Sequence, residues 1–336
     1  MTVDYQRQIF EIIKREISGK DSLGNVIGDI LNISQDAVYR RYRGETHLTI
    51  NEMEKLSRAF SISLDNLFDL DRTKILFDFQ PLNLIDFSMD SYLENICNTI
   101  LSIKSQKNPS LIMTINNTPL IQLLNFPHLV RFKLFFWAKT HLQIKEYEKT
   151  LFKYEKISER TFQTGVTILK NYITIPSKEI YDLDLLRGFA REIVYYYESQ
   201  LFADANYAIH LLDKLIEFLN HLQHQAEEGK KFIFNTEPPA FGNEFEMYFN
   251  ETLNASNSYY YKTENGEGLF ISHNLMNSIH TTEQVYVKDS KQILDKQLAT
   301  SSIISKVNEK ERNSYFFKIR NVIEKHKKRI ELDMSI

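Results

Sequence analysis

Residues 22–45 read SLGNVIGDILNISQDAVYRRYRGE, and this stretch decides how the first part of the chain folds. Ser22 and Ser34 each stand before residues with helical spacing of apolar side chains, and serine is a preferred N-cap. Gly44 follows the second stretch, at the position where a left-handed residue commonly ends a helix. Gly28 adds no side chain to the inner side of the first helix, so a neighbour can approach closely. The stretch predicts two short helices joined by a tight turn.

Helical spacing continues on both sides of this pair. Apolar residues recur every three or four positions over residues 5–17, and Thr49 or Asn51 can cap a fourth helix that carries Met53, Leu56 and Phe60. A last short helix is expected over residues 64–68. Residues 1–71 are therefore predicted to form a compact domain of five helices.

The segment of residues 22–45 resembles the Cro/C1-type helix-turn-helix of bacterial and phage repressors. Residues 59–68, AFSISLDNLF, look like the closing helices of that family, so the resemblance covers about residues 5–70. The chain departs from the family at Gly28 and Asn32, where Ala and Gly are commoner. It also carries Tyr42 where a polar residue often stands.

The resemblance implies that residues 34–43 are a recognition helix for the major groove of DNA. Arginine can bond guanine or phosphate and glutamine can pair with adenine, so the helix has suitable side chains. The expected base contacts are Gln35, Asp36, Tyr39 and Arg40, and the expected phosphate contacts are Ser22, Asn25, Arg41 and Arg43. The alternative is a solvated basic face on a protein-interaction module. Residues 1–70 hold nine Lys or Arg against eleven Asp or Glu, so dimerisation is expected to be needed for useful affinity.

The rest of the chain is predicted to be mainly α-helical, with both helices and strands in its C-terminal part. Residues 72–110 are interpreted as a connector with a short strand and a helix over 91–104. Residues 111–230 are interpreted as a helical effector or dimerisation region, with 111–115 left open between strand and helix end and 157–228 wholly helical. Residues 231–336 are interpreted as a C-terminal α+β module.

Within that module, the alternation of apolar and polar residues predicts strands over 231–235 and 283–287. Asn265-Gly266 predicts a hairpin between residues 258–262 and 268–272, with Tyr259 and Tyr261 on one face and Tyr260 on the other. Helices are predicted over 244–253, 290–300 and 310–330.

Composition and motifs argue against several kinds of chemistry. Of 336 residues 43% are apolar and the net charge is -3, and the single cysteine, Cys97, excludes an internal disulfide and is interpreted as a buried small hydrophobe. His221 and His224, with His210 and Glu217 upstream, are interpreted as a solvated helix face. No catalytic residue, metal site or cofactor is predicted. Neither a signal peptide nor a membrane span is recognised, so a cytoplasmic protein without a membrane partner is expected.

The sequence favours a DNA-binding transcriptional regulator that acts as a homodimer on double-stranded DNA, with a C-terminal region that senses an unknown small-molecule or peptide effector. One rival is a helical-repeat receptor for a peptide or protein, with the helix-turn-helix as an interaction module. A concave apolar groove between residues 120 and 228 would favour it. A second rival is an enzyme in the C-terminal module that DNA binding directs to its target.

Overall fold

The computed structural model describes residues 4–17, 22–68, 74–82, 87–116, 118–253, 256–274 and 276–335. The chain divides into two compact units, Met1–Ile75 and Leu76–Ile336. It is mainly helical, as predicted, and the second unit also contains an eight-stranded sheet.

The first unit contains the five predicted helices. They are α1 Tyr5–Glu16, α2 Leu23–Leu31, α3 Gln35–Tyr42, α4 Ile50–Ala59 and α5 Leu64–Phe68. Among its described residues, the core consists of eight buried apolar residues, which are Ile9, Phe10, Ile13, Ile27, Leu31, Val38, Leu56 and Leu67. Burial of one apolar face per helix accounts for the packing of this unit.

The junction between α2 and α3 is fixed by local hydrogen bonds. Ser22 and Ser34 cap the two helices as predicted, and Ser34 Oγ accepts from the backbone N–H of Ala37 at 3.3 Å. Asn32 adopts the left-handed conformation (φ 58°) that ends α2. A Cβ on Gly28 would lie 3.0 Å from the carbonyl oxygen of Ile33, so only glycine fits there without a shift.

The second unit is built on one mixed sheet. Its strands are β1 Asp78–Phe79, β2 Ser110–Ile115, β3 Ser177–Tyr181, β4 Phe245–Phe249, β5 Ser258–Thr263, β6 Gly266–Ser272, β7 Ser278–Thr281 and β8 Ser302–Ile303. Their order in the sheet is β1-β7-β6-β5-β2-β3-β4-β8. Strands β2, β3 and β4 are parallel, and every other neighbouring pair is antiparallel.

Helices cover both faces of this sheet. They are α6 Met89–Ser105, α7 Leu120–Leu123, α8 Pro127–Phe136, α9 Glu159–Tyr172, α10 Arg187–Glu198, α11 Asn206–Glu228, α12 Gln284–Thr300 and α13 Glu309–Met334. Helix α12 packs over Ile112, Tyr260 and Leu269, which form a small separate core. Tyr259 and Tyr261 pack on the opposite face in the main core, so the predicted alternation of the three tyrosines is confirmed.

The predicted division of the second unit differs from the structure. The boundaries at 110/111 and 230/231 fall inside one compact unit, because β2 and β3 lie in the middle of a sheet completed by later strands. Residues 157–228 are not wholly helical, since β3 interrupts them. Ile180, Leu183 and Leu186 are spaced like a helix stripe, which hid the strand. Residues 111–115 are a strand.

Three other predictions are wrong and several are confirmed. Residues 231–235 form no strand, residues 245–249 form a strand where a helix was expected, and α12 begins at Gln284 where a strand was expected. In residues 245–249 alternate side chains enter the core, the pattern typical of a strand. The hairpin is confirmed, with Glu264 and Asn265 in its turn, as are α6, α13 and the burial of Cys97.

Among the described residues, no helix combines the length and the apolar character that crossing a bilayer requires.

Candidate nucleic-acid interface

Helix α3 presents one contiguous exposed face. Gln35, Asp36, Tyr39, Arg40 and Arg43 are all exposed, while Val38 is fully buried and anchors the opposite side of the helix. Positions 36, 40 and 43 follow the spacing of one helix face, and positions 35 and 39 lie beside them. The four predicted base contacts therefore lie together on the surface.

The N-terminal end of α2 adjoins this face. The Gln35 side-chain amide donates to Asn25 Oδ1, so the two predicted contact residues are in direct contact. A Cβ on Gly24 would lie 3.0 Å from the ring of Tyr39, so this glycine allows the ring to pack against α2. Ser22 is also exposed, although its Oγ accepts from the backbone N–H of Asn25 at 3.1 Å. These contacts hold Gln35 and Tyr39 in place.

Arg41 is not part of the exposed face, in contrast to the phosphate contact predicted for it. Its side chain is 15% exposed, and Nη2 lies 2.8 Å from Glu52 Oε1. Nη1 donates to the carbonyl of Ala37 at 3.2 Å. Burial opposes ionisation of Glu52, but hydrogen bonds from Thr49 and Arg41 outweigh it and hold its pKa below the usual value. Arg41 thus links α3 to α4.

Arg40 and Arg43 share a carboxylate that the sequence prediction did not include. Glu45 Oε1 lies 2.6 Å from Arg43 Nε, and Glu45 Oε2 lies 3.7 Å from Arg40 Nε. The hydrogen bond from Arg43 lowers the pKa of Glu45. Exposed ion pairs of this kind contribute little to stability and separate readily. Both arginines therefore remain free to turn towards an external anion.

The loop after α3 is held by Gln6, another residue that the sequence prediction missed. Its side-chain amide donates to the carbonyls of Arg41 and Thr46 at 2.7 and 2.8 Å, and its Oε1 accepts from the backbone N–H of Leu48 at 2.8 Å. A glutamine on an amphipathic helix carries no signal for such a role. The contacts fix the C-terminal end of α3 relative to α1.

A buried polar cluster in the second unit is built around Glu179 and Lys231. The Glu179 carboxylate is fully buried and accepts from the hydroxyls of Tyr172, Ser177 and Tyr181. Lys231 Nζ donates to Ser177 Oγ at 2.9 Å, and burial lowers its pKa to about 8. This cluster satisfies itself with protein groups, as buried charges generally must.

The histidines predicted to lie on a solvated face are not equivalent. His221 is 6% exposed, its Nε2 lies 3.0 Å from the carbonyl oxygen of Phe232, and burial lowers its pKa to about 4. The solvated-face interpretation is therefore wrong for His221, whereas half the His224 side chain is exposed. The described residues contain no group of three or more His, Cys, Asp or Glu side chains arranged to hold a metal ion.

Two surface clefts stand out in the second unit. One of about 530 Å³ lies between the ends of α10 and α13, beside Glu198 and Arg329. The other, of about 370 Å³, lies between α6 and α9, beside Glu94 and Arg160. Both clefts combine apolar surface with charged side chains at their edges.

Comparisons with protein-family models, with curated proteins and with solved structures each gave no match. What the exposed face of α3 can bind therefore has to be inferred from its own side chains. Guanidinium, amide, carboxylate and phenol groups on one short, anchored helix are the groups that contact base edges and phosphates in DNA.

Proposed function

We propose that the protein is a sequence-specific DNA-binding transcriptional regulator that acts on double-stranded DNA in the cytoplasm. The observation that carries the proposal is the exposed face of α3, on which Gln35, Asp36, Tyr39 and Arg40 lie together while the caps and the turn to α2 fix the helix. A fixed helix with such side chains suits the major groove, which is about 12 Å wide.

In this proposal each side chain has a chemical role. Arg40 donates two hydrogen bonds to guanine, Gln35 pairs with adenine, and Asp36 accepts from cytosine. Gln35 already touches Asn25, so the pair can act together, with Asn25 nearer the phosphate. Ser22 and Arg43 complete the phosphate contacts. These contacts set the register of the helix, and the base contacts select the sequence.

The charge of the first unit supports a homodimer. With nine Lys or Arg against eleven Asp or Glu over residues 1–70, one copy has little general attraction for DNA. Two copies on a palindrome would place their recognition helices about 34 Å apart, one turn of DNA. A small-molecule or peptide effector of the second unit would then regulate binding by its differential affinity for two states of the dimer.

Selection of bound sequences from a random duplex pool tests this proposal with the full-length protein at a stated salt concentration. We expect an enriched palindrome whose half-sites are centred about one DNA turn apart. Weak, salt-sensitive binding with no enriched sequence would overturn the proposal and leave α3 as a surface for another kind of partner.

A further inference from the structure

Helix α13 carries an unusual concentration of positive charge. Residues 318–329 hold six Lys or Arg and one carboxylate, that of Glu324. Some of these cations are engaged inside the unit, because Lys327 Nζ lies 2.6 Å from an oxygen of Asp213 on α11. Other cations of this stretch are exposed, and the charged groups around them indicate what they can bind.

Lys325 and Lys328 form the outer edge of this charge. Both are exposed, and neither makes an ion pair or hydrogen bond with a described residue. Their three-residue spacing places them on one side of the helix. Arg329 lies next to them and is 59% exposed, with one bond to Glu198 on α10. The exposed side of α13 is therefore basic over residues 325–329, just before the exposed carboxylates of Glu331 and Asp333.

Helix α10 extends the charge across to its own surface. Arg187 and Arg191 are exposed one turn apart, and Arg191 also makes no ion pair with any described residue. His326 lies between the two helices. Burial lowers its pKa, and the nearby positive charges of Arg329, Arg191 and Arg187 lower it further. The five side chains Arg187, Arg191, Lys325, Lys328 and Arg329 are called the basic patch below.

Only part of the basic patch is neutralised within the unit. Asp184 pairs with Arg187 at 3.1 Å and Glu198 pairs with Arg329, so three of the five cations have no counter-ion within the described structure. Like charges held close together repel, and an external polyanion relieves that repulsion.

We propose that the basic patch binds the phosphate backbone of duplex DNA. The inference rests on the proposed regulator function and gives the second unit a part in it. It would also supply an attraction for DNA that the first unit lacks, since carboxylates outnumber cations over residues 1–70. Arginine and lysine on two neighbouring helices suit phosphate oxygens, which accept charge-assisted hydrogen bonds.

The test compares salt dependence of binding to a random-sequence duplex, using the full-length protein. Removal of one cation that neutralises a phosphate lowers the slope of log K against log salt by about 0.9. We therefore expect Lys325→Glu/Lys328→Glu to lower the slope by about 2 or more. The control is Lys288→Glu/Lys296→Glu, which makes the same charge change at exposed lysines of α12. It should change the slope by much less.

Equal slopes for the two double variants would overturn the inference, as would binding of the patch to a poly-glutamate peptide but not to the duplex. The result is separable from that of the sequence selection. If an operator is selected but the slope of the Lys325→Glu/Lys328→Glu variant is unchanged, only the proposed role of the basic patch is refuted. If the slope is lowered but no operator is selected, the proposed regulator function is refuted and the basic patch remains a DNA-binding surface.

Discussion

The two units of this protein place their charges in opposite ways. In the described part of the first unit the core is apolar, and the charged side chains lie on or near the surface. Among the described residues, the buried charged side chains all belong to the second unit, and they are Arg131, Lys133, Glu179, Lys231 and Arg312. The first unit thus keeps its charges near the surface, with Arg41 and Glu52 joining α3 to α4, whereas the second unit buries several charges to hold its own fold.

The architecture explains this difference. A small helical unit has one inward face per helix, so polar residues are left on the outside. A central strand covered by helices is mostly buried, and alternate residues of β3 are buried although Lys178 is exposed. Glu179 is one of these residues, and three hydroxyl donors with Lys231 nearby compensate for its burial.

The largest effect is expected from removing the buried cation of this cluster. Lys231→Met removes the positive charge that is linked to the Glu179 carboxylate through the Ser177 hydroxyl, and a buried carboxylate left uncompensated costs about 3–5 kcal/mol of unfolding free energy. Urea unfolding followed by the fluorescence of Trp137, the only tryptophan of the chain, reports on the second unit.

Two further variants sharpen this measurement. Lys288→Met removes an exposed lysine of α12 and should change stability by no more than about 0.5 kcal/mol. Adding Glu179→Gln to Lys231→Met removes the stranded charge and should recover part of the stability. If Lys231→Met is as stable as Lys288→Met, buried charge does not distinguish the second unit.

The stability of the second unit should also depend on pH, because of His221. This side chain stays neutral in the fold down to its pKa of about 4, because burial disfavours the charged ring, whereas it titrates near 6.5 in the unfolded chain. The unfolded chain binds the proton first. The free energy of unfolding should therefore fall between about pH 6.5 and pH 4, by up to about 3 kcal/mol from this residue.

Denaturant unfolding at several pH values, again followed through Trp137, measures this slope. His221→Gln should flatten it over the stated range. His224→Gln, one helical turn further on and half-exposed, is the matched control and should leave it in place. Identical slopes for both variants would mean that burial of His221 does not govern the acid response.

The two units also differ in how far the sequence could predict their folds. Serine caps, Asn32 and Gly28 act on residues close to them in the chain, so the five helices of the first unit were predictable from local pattern. Strand β3 was not, because it pairs with residues of β2 and β4 that lie 66 and 68 positions away in the sequence. Its residues fit a helix stripe equally well when the partners are unknown.

The exposed residues of the candidate site could be predicted from the sequence, whereas their contacts with other helices could not. Exposure of Gln35, Tyr39 and Arg40 follows from helical spacing once Val38 is assigned to the core. The pairing of Arg41 with Glu52 depends on how α4 packs against α3, which spacing alone does not give. The role of Gln6 likewise depends on an interaction between distant parts of the chain.

The most direct test of the account is the affinity of Arg40→Ala for a selected operator, compared with Arg58→Ala. Arg58 is an exposed arginine of α4 that pairs with Glu54, so its removal makes the same charge change away from the face of α3. We predict that Arg40→Ala weakens operator binding by about 1–3 kcal/mol and relaxes selection at one base position, with the fold unchanged. Arg58→Ala should bind with nearly the affinity and full base preference of the parent protein. Equal affinities and unchanged base preference for the two variants would contradict recognition of DNA by the exposed face of α3.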